Sequence, residues 1–149
     1  MEPDELAKAV VDKMFTNDQF SQWLGIEVVE VKPGYCLLKM EVRDDMLNGF
    51  KILHGGVTFS LADSALAFAS NSYGRKSVSI EANMSYTGQV EEGDILIATA
   101  EVASMSNKIA VFNVTVKNLE DATIALFKGT VYRTERDWFD EKEEDEIDN

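Results

Sequence analysis

The sequence predicts an α+β fold in which one long buried helix is wrapped by a strongly curved antiparallel sheet of about six strands. Three observations carry this. Residues 55–70, from Gly55-Gly56 to Ala69-Ser70, are apolar on nearly every side of a helical wheel, which is the pattern of a buried helix. Around them stand six runs with the period-two alternation of strands. The later runs follow one another across short breaks of turn residues, so neighbouring strands are expected to be antiparallel.

Each element has its own local reason. Leu6, Val10 and Met14 recur at i, i+4 and i+8 after Pro3-Asp4, which predicts a short amphipathic helix with proline and acid in its first turn. Asn17 is the expected N-cap of a brief second helix that carries Phe20, Trp23 and Leu24 and is stopped by Gly25. Residues 26–32 and 35–43 flank Pro33-Gly34, and in the second run Cys36, Leu38, Met40 and Val42 alternate with more polar neighbours. That is a hairpin with Cys36 turned toward the core. A loop over 44–53 leads into the long helix, which Tyr73-Gly74 ends. Strands are expected at 77–86, 95–103, 108–118 and 123–134. The chain thus divides into N-terminal helices (1–24), a main domain (25–134) and an acidic tail (137–149). A sheet around one helix leaves an outer face and edges for another copy to cover, so at least a dimer is expected.

Composition excludes several classes. A chain of 149 residues with 45% hydrophobic content makes one domain of ordinary size. Cys36 is the only cysteine, so no intramolecular disulfide forms and no Cys-rich zinc site exists, and a reducing cytoplasm is the expected setting. The N-terminus carries acids where a signal peptide needs basic residues, and no apolar run approaches the ~20 residues of a membrane span. Of the formal charge of −13, the tail carries −7 and reads as solvated and disordered. The mildly acidic remainder offers no basic surface for nucleic acid.

Chemistry concentrates in two places. His54, the only histidine, stands before Gly55-Gly56 at a helix start. Backbone N–H groups there carry partial positive charge, and glycine lets a ligand oxygen approach, which suits a developing oxyanion. The plainer alternative is a tight turn with His54 capping or packing. Asp63 lies within the apolar helix, where an unpaired carboxylate is costly and aspartate is a poor helix former. A carboxylate opening onto a cleft can serve as general base or nucleophile. Alternatively Asp63 is the N-cap of a helix starting at Ser64; a helix unbroken from Gly56 would exclude that. Neither nucleotide-binding glycine loop fits, no metal-ligand cluster is visible, and Ser60, Ser64 and Ser70 lack a nucleophile elbow. Cys36 reads as core rather than nucleophile.

Asn48, His54-Gly55-Gly56 and Phe59-Ser60-Leu61-Ala62-Asp63, with Gly93-Asp94 and residues 125–129, resemble the hotdog-fold acyl-CoA thioesterases of the phenylacetic acid degradation type, over roughly residues 25–133. The resemblance implies dimers with two active sites at the subunit interface, commonly paired as a dimer of dimers, and an acyl-CoA substrate in which coenzyme A is not a separate cofactor. It implies that the Gly55 N–H polarises the thioester carbonyl with help from Asn48. Asp63 of the opposite subunit then activates water or attacks, His54 orients the loop, and Ser79 helps hold the water. Gly56 stands at the same helix start, and Phe50, Phe59 and Tyr86 shape the acyl pocket. Many relatives have an Arg-Pro pair near a coenzyme A phosphate where this chain has Gly88-Gln89, so Lys108, Arg75 or Lys76 would have to supply that charge. Two other readings keep the fold: an acyl-CoA hydratase, in which the histidine follows the acid rather than preceding it by nine residues, and a non-catalytic acyl-CoA-binding domain.

Overall fold

The computed structural model describes residues 1–140, so most of the expected acidic tail, from 141 onward, lies outside the described residues. In chain order it forms α1 (Pro3–Thr16), α2 (Gln19–Trp23), β1 (Glu27–Lys32), β2 (Tyr35–Glu41), a 3-10 turn (Asp44–Met46), α3 (Gly55–Asn71), β3 (Arg75–Tyr86), β4 (Ile95–Met105), β5 (Ile109–Lys117) and β6 (Thr123–Asp137). The six strands make one antiparallel sheet in the order β1-β2-β4-β5-β6-β3. Leaving α3, the chain therefore enters the far edge of the sheet, and β3 keeps one side unpaired.

Alternation fixes which side of the sheet meets α3. Cys36, Leu38 and Met40 of β2, Leu96, Ala98 and Ala100 of β4, and Phe112 and Val114 of β5 are buried, and they meet Leu61, Leu66 and Phe68 of α3. Burial of each large side chain contributes roughly 1.5–3 kcal/mol. Helix and sheet pack tightly at Gly129, where a Cβ would overlap Leu66 Cδ2 and lie 2.9 Å from Leu66 Cδ1. Cys36 is fully buried, and burial pushes its thiol up to about 12. Among the described residues no helix is long and apolar enough to cross a membrane.

Three expectations are corrected. The cap of α2 is Asp18, whose Oδ1 accepts from the Ser21 N–H at 3.0 Å; α1 runs through Thr16 and takes Asn17 as its own C-cap, with Asn17 Nδ2 donating to Lys13 O at 3.0 Å. Strand β6 continues to Asp137, and Trp138 Nε1 donates to Asn71 Oδ1 at 2.8 Å, so the chain is structured past residue 134. Helix α3 is not buried all round. It packs on the sheet and α1, and leaves Gly56 and Asp63 exposed with Ser60 and Ala67 half-buried between and beyond them. The spacing of four, three and four residues makes a single open stripe along the helix.

Candidate active site

The loop before α3 is built around two side chains. Asn48 Oδ1 accepts from the Phe50 and Ile52 N–H groups at 2.9 and 3.2 Å, folding residues 48–52 on themselves, while Lys51 takes a positive φ of 59°. His54 is the N-cap of α3, anchored by its own N–H to Met46 O at 2.9 Å. Its Nδ1 accepts from the Gly56 N–H at 3.3 Å, which leaves the ring proton on Nε2. The Val57 N–H is taken by His54 O at 2.9 Å. Of the first three N–H groups of the helix, two are thus occupied by His54. The Gly55 N–H is left without an acceptor among the described residues, at the positive end of a 17-residue helix.

That donor opens on a cavity of about 370 Å³ lined by Leu53, His54, Gly55, Gly56, Tyr86 and Gln89 among others. Tyr86 O–H donates to Gly55 O at 2.9 Å and so ties the end of β3 to the helix start. A larger hollow of about 490 Å³ lies on β4 and β5, lined by residues such as Ile97, Thr115 and Lys117; it contains no helix terminus and none of the predicted site residues.

Asp63 stands two turns further along an unbroken α3, which excludes its being the cap of a shorter helix. Its carboxylate is on the open stripe and not in the interior, a correction to the burial expected from the apolar run. The apolar flank of the helix still withdraws part of its hydration, and this desolvation pushes its carboxyl above the ordinary value of 3.8; the negative charge of Asp18 pushes the same way. From Gly55 to Asp63 is eight residues, about 12 Å along the helix axis. One chain's Asp63 and its own Gly55 N–H therefore cannot both reach a single carbonyl carbon.

The other predicted residues fall in different places. Tyr86 and Gly56 line the cavity, as do Gly88 and Gln89 in place of the Arg-Pro pair. Phe50 is at the exposed tip of the loop, and Phe59 packs edge-on against Phe127 with ring centroids 5.3 Å apart, beside the core. Ser79 is exposed on the β3 edge, opposite Val131 and next to a bulge. Lys108 is exposed in the β4–β5 turn. Arg75 joins that turn to β6, its Nη2 donating to Asn107 O at 2.8 Å and Arg133 O at 3.0 Å. This corner lies at the opposite end of β3 from Tyr86, about 36 Å away at ~3.3 Å per residue. Among the described residues no group of His, Cys, Asp or Glu is arranged to hold a metal. Sequence reasoning missed Asp18, since nothing in the periodicity places α2 beside Asp63.

A single helix in a six-stranded antiparallel sheet, with a free N–H at the helix start and a carboxylate on the helix flank, defines a hotdog-fold thioester hydrolase. A family model described as "Thioesterase superfamily" matches residues 50–125, and the chain belongs to that superfamily. It is 40% identical over 134 residues to a protein of Archaeoglobus fulgidus, covering 90% of this chain and 87% of the relative. It is 36% identical over 120 residues to the acyl-coenzyme A thioesterase PaaI of Escherichia coli K12, covering 80% of this chain and 86% of the relative. The solved structure of E. coli PaaI, from the phenylacetic acid degradation operon, superimposes with a TM-score of 0.88 over 90% of this chain and 97% of that one, at 33% identity. A Streptococcus mutans protein solved bound to acetyl CoA has a TM-score of 0.71 and 27% identity, over 73% of this chain and 88% of that one.

Proposed function

We propose that the protein is a cytoplasmic enzyme that hydrolyses acyl-CoA thioesters to the free acid and CoA, with arylacyl groups of the phenylacetyl kind favoured, and that its active sites form between two copies of the chain. The observation that carries this reading is the division of labour along α3. The Gly55 N–H is free to polarise a thioester carbonyl, and Asp63 is open to water, yet the two stand about 12 Å apart on one helix. A second copy lying across the open stripe brings one chain's Asp63 to the other's Gly55.

Strand β3 is an unpaired edge on which Val78 and Ile80 are 54% and 58% exposed. Two such edges related by a two-fold axis pair antiparallel. That arrangement sets the Arg75 end of one β3 against the Tyr86 end of the other, and carries the exposed Lys108 of one copy toward the cavity of its mate. Arg75 is committed to backbone carbonyls, Arg133 donates to Ser106 O and Lys76 lies over the Trp138 ring, which favours the exposed Lys108 of that corner to meet a CoA phosphate. Two dimers packed through their outer sheet faces would give the dimer of dimers.

The chemistry needs no separate cofactor. The thioester carbonyl oxygen accepts from the Gly55 N–H, aided by the Asn48 amide, whose oxygen is already engaged within the loop. Water held near Ser79 attacks the carbonyl carbon as Asp63 takes its proton, and the oxyanion collapses with loss of thiolate, assisted by His54. Similarity to a PaaI thioesterase and to a protein that binds acetyl CoA supports the substrate class. The test is thiol release from phenylacetyl-, hydroxyphenylacetyl-, benzoyl- and short straight-chain acyl-CoAs. The reading requires turnover of at least one class, fastest for arylacetyl groups, and loss of orders of magnitude in Asp63→Ala. Absence of thiol release from all of them, or an active Asp63→Ala, would overturn it.

A further inference from the structure

Asp18 lies outside the residues matched by the family model and outside the predicted site. It is nevertheless held firmly beside α3. Its Oδ1 accepts from the Ser21 N–H at 3.0 Å and its Oδ2 from the Ser21 O–H at 2.6 Å. Ser21 Oγ is also 2.8 Å from Ser64 Oγ. A serine has one hydroxyl proton, and a carboxylate has none to give. Ser21 therefore spends its proton on Asp18, and Ser64 must be the donor to Ser21. The result is a directed chain from Ser64 to Ser21 to Asp18, with both hydroxyl residues buried, at 8% and 1% exposure. Ser64 is the neighbour of Asp63 on the same helix turn, so this chain pins α2 and its acidic cap to the flank of α3 that carries Asp63.

We propose that Asp18 is a positioning residue that acts on the reaction through Asp63: the buried Ser21–Ser64 pair fixes its carboxylate, and with it a second negative charge, on the flank of α3 that carries Asp63. The proposal rests on the reading of Asp63 as the base. Within one chain its electrostatic setting is simple; the cation packed against α2 is Arg43, which donates to Leu24 O at 3.0 Å and lies over the Trp23 ring. Asp63 is the only charged residue of α3, and Asp18 is the only charge on α2 or its cap. The strands turn buried apolar side chains toward α3, and α1 meets the core with Ala7 and Val11 while Asp12 and Lys13 face solvent. A like charge close by raises the affinity of a carboxylate for a proton, and the direction of the Asp63 shift agrees. A stronger base removes a proton from water more readily, which is what a general base requires.

The test separates charge from structure. Asp18→Asn and Asp18→Ser keep a good cap without the charge, whereas Asp18→Glu keeps the charge. In the full chain, the Asp63 side-chain carboxyl is followed by carbon NMR as a function of pH, with Asp63→Asn identifying its signal. The acid limb of kcat/KM for acyl-CoA hydrolysis is measured alongside. The expected result is that the Asp63 midpoint and the acid limb both move to lower pH in the Asn and Ser variants and return to the wild-type position in Glu. At neutral pH kcat should fall about two- to fivefold with KM unchanged, as a weaker base requires. An Asp63 midpoint that is the same in all four proteins overturns the proposal whether or not the enzyme is active. A midpoint that moves while Asp63→Asn remains fully active overturns the base assignment, and with it the catalytic role of Asp18.

Discussion

Replacing Gly55 with proline removes one hydrogen atom from the place where the carbonyl is held to be polarised. Gly55 is the first residue of α3, a position where proline is well tolerated because its N–H has no partner within the helix. His54 before it has φ −61° and ψ 127°, within the extended region that a following proline requires. The steric penalty of the added Cβ is local: it would stand 3.1 Å from the Tyr86 hydroxyl and 3.2 Å from its Cζ, so the ring must give by a few tenths of an ångström. Gly55→Ala suffers the same Cβ crowding and keeps the N–H, so the ratio of the two variants reads the loss of the N–H together with the Cδ that proline puts in its place. Loss of one oxyanion donor lowers kcat by about 10²–10³, or roughly 3–4 kcal/mol of transition-state stabilisation. Thiol release under saturating acyl-CoA should therefore show Gly55→Ala within about tenfold of wild type, and Gly55→Pro a further 10²–10³ below it. Equal activities of the two variants, with both folded, would refute the assignment of this N–H.

Two further outcomes follow from the packing and the charges. The Asp63 carboxyl is raised above its ordinary 3.8, so its ionised form weakens the fold: the stability it permits is fully present below that value and is lost as pH rises through the folded-state midpoint. Asp63→Asn should accordingly melt above wild type at pH 7, with the difference closing as pH falls toward 3.8, as thermal unfolding across that range would show. Gly129→Ala places a Cβ onto Leu66 and should destabilise the chain by about 1–3 kcal/mol, read from the urea midpoint, and the double variant that also carries Leu66→Ala should lose less than the sum of the two single losses.

Much of this was legible in the sequence because it depends on local rules. Period-two runs and their turns gave the strands to within a few residues, and the alanine-rich run gave α3. The pairing of β3 with β6 was not legible, since alternation says which face of a strand is apolar and nothing about which distant strand lies beside it. The exposure of Asp63 escaped for a related reason: whether an apolar helix has one uncovered stripe depends on how α1 and the sheet divide its circumference. The His54-Gly55-Gly56 segment could be read as an oxyanion site from its residue types, but only the structure reveals that His54 occupies two of the N–H groups and leaves the third free. Asp18 was hidden because the link to Asp63 passes through two serines 43 residues apart.

In the proposed dimer one chain's Gly55 N–H works with the other chain's Asp63. Gly55→Pro and Asp63→Asn chains, each inactive alone, can be mixed in equal amounts, unfolded and refolded together. Random pairing makes half of the dimers mixed, each with one intact site of two, so thiol release should recover to about one quarter of the wild-type rate. If the two residues act within a single chain, no mixed dimer holds an intact site and the refolded mixture stays as inactive as its parents.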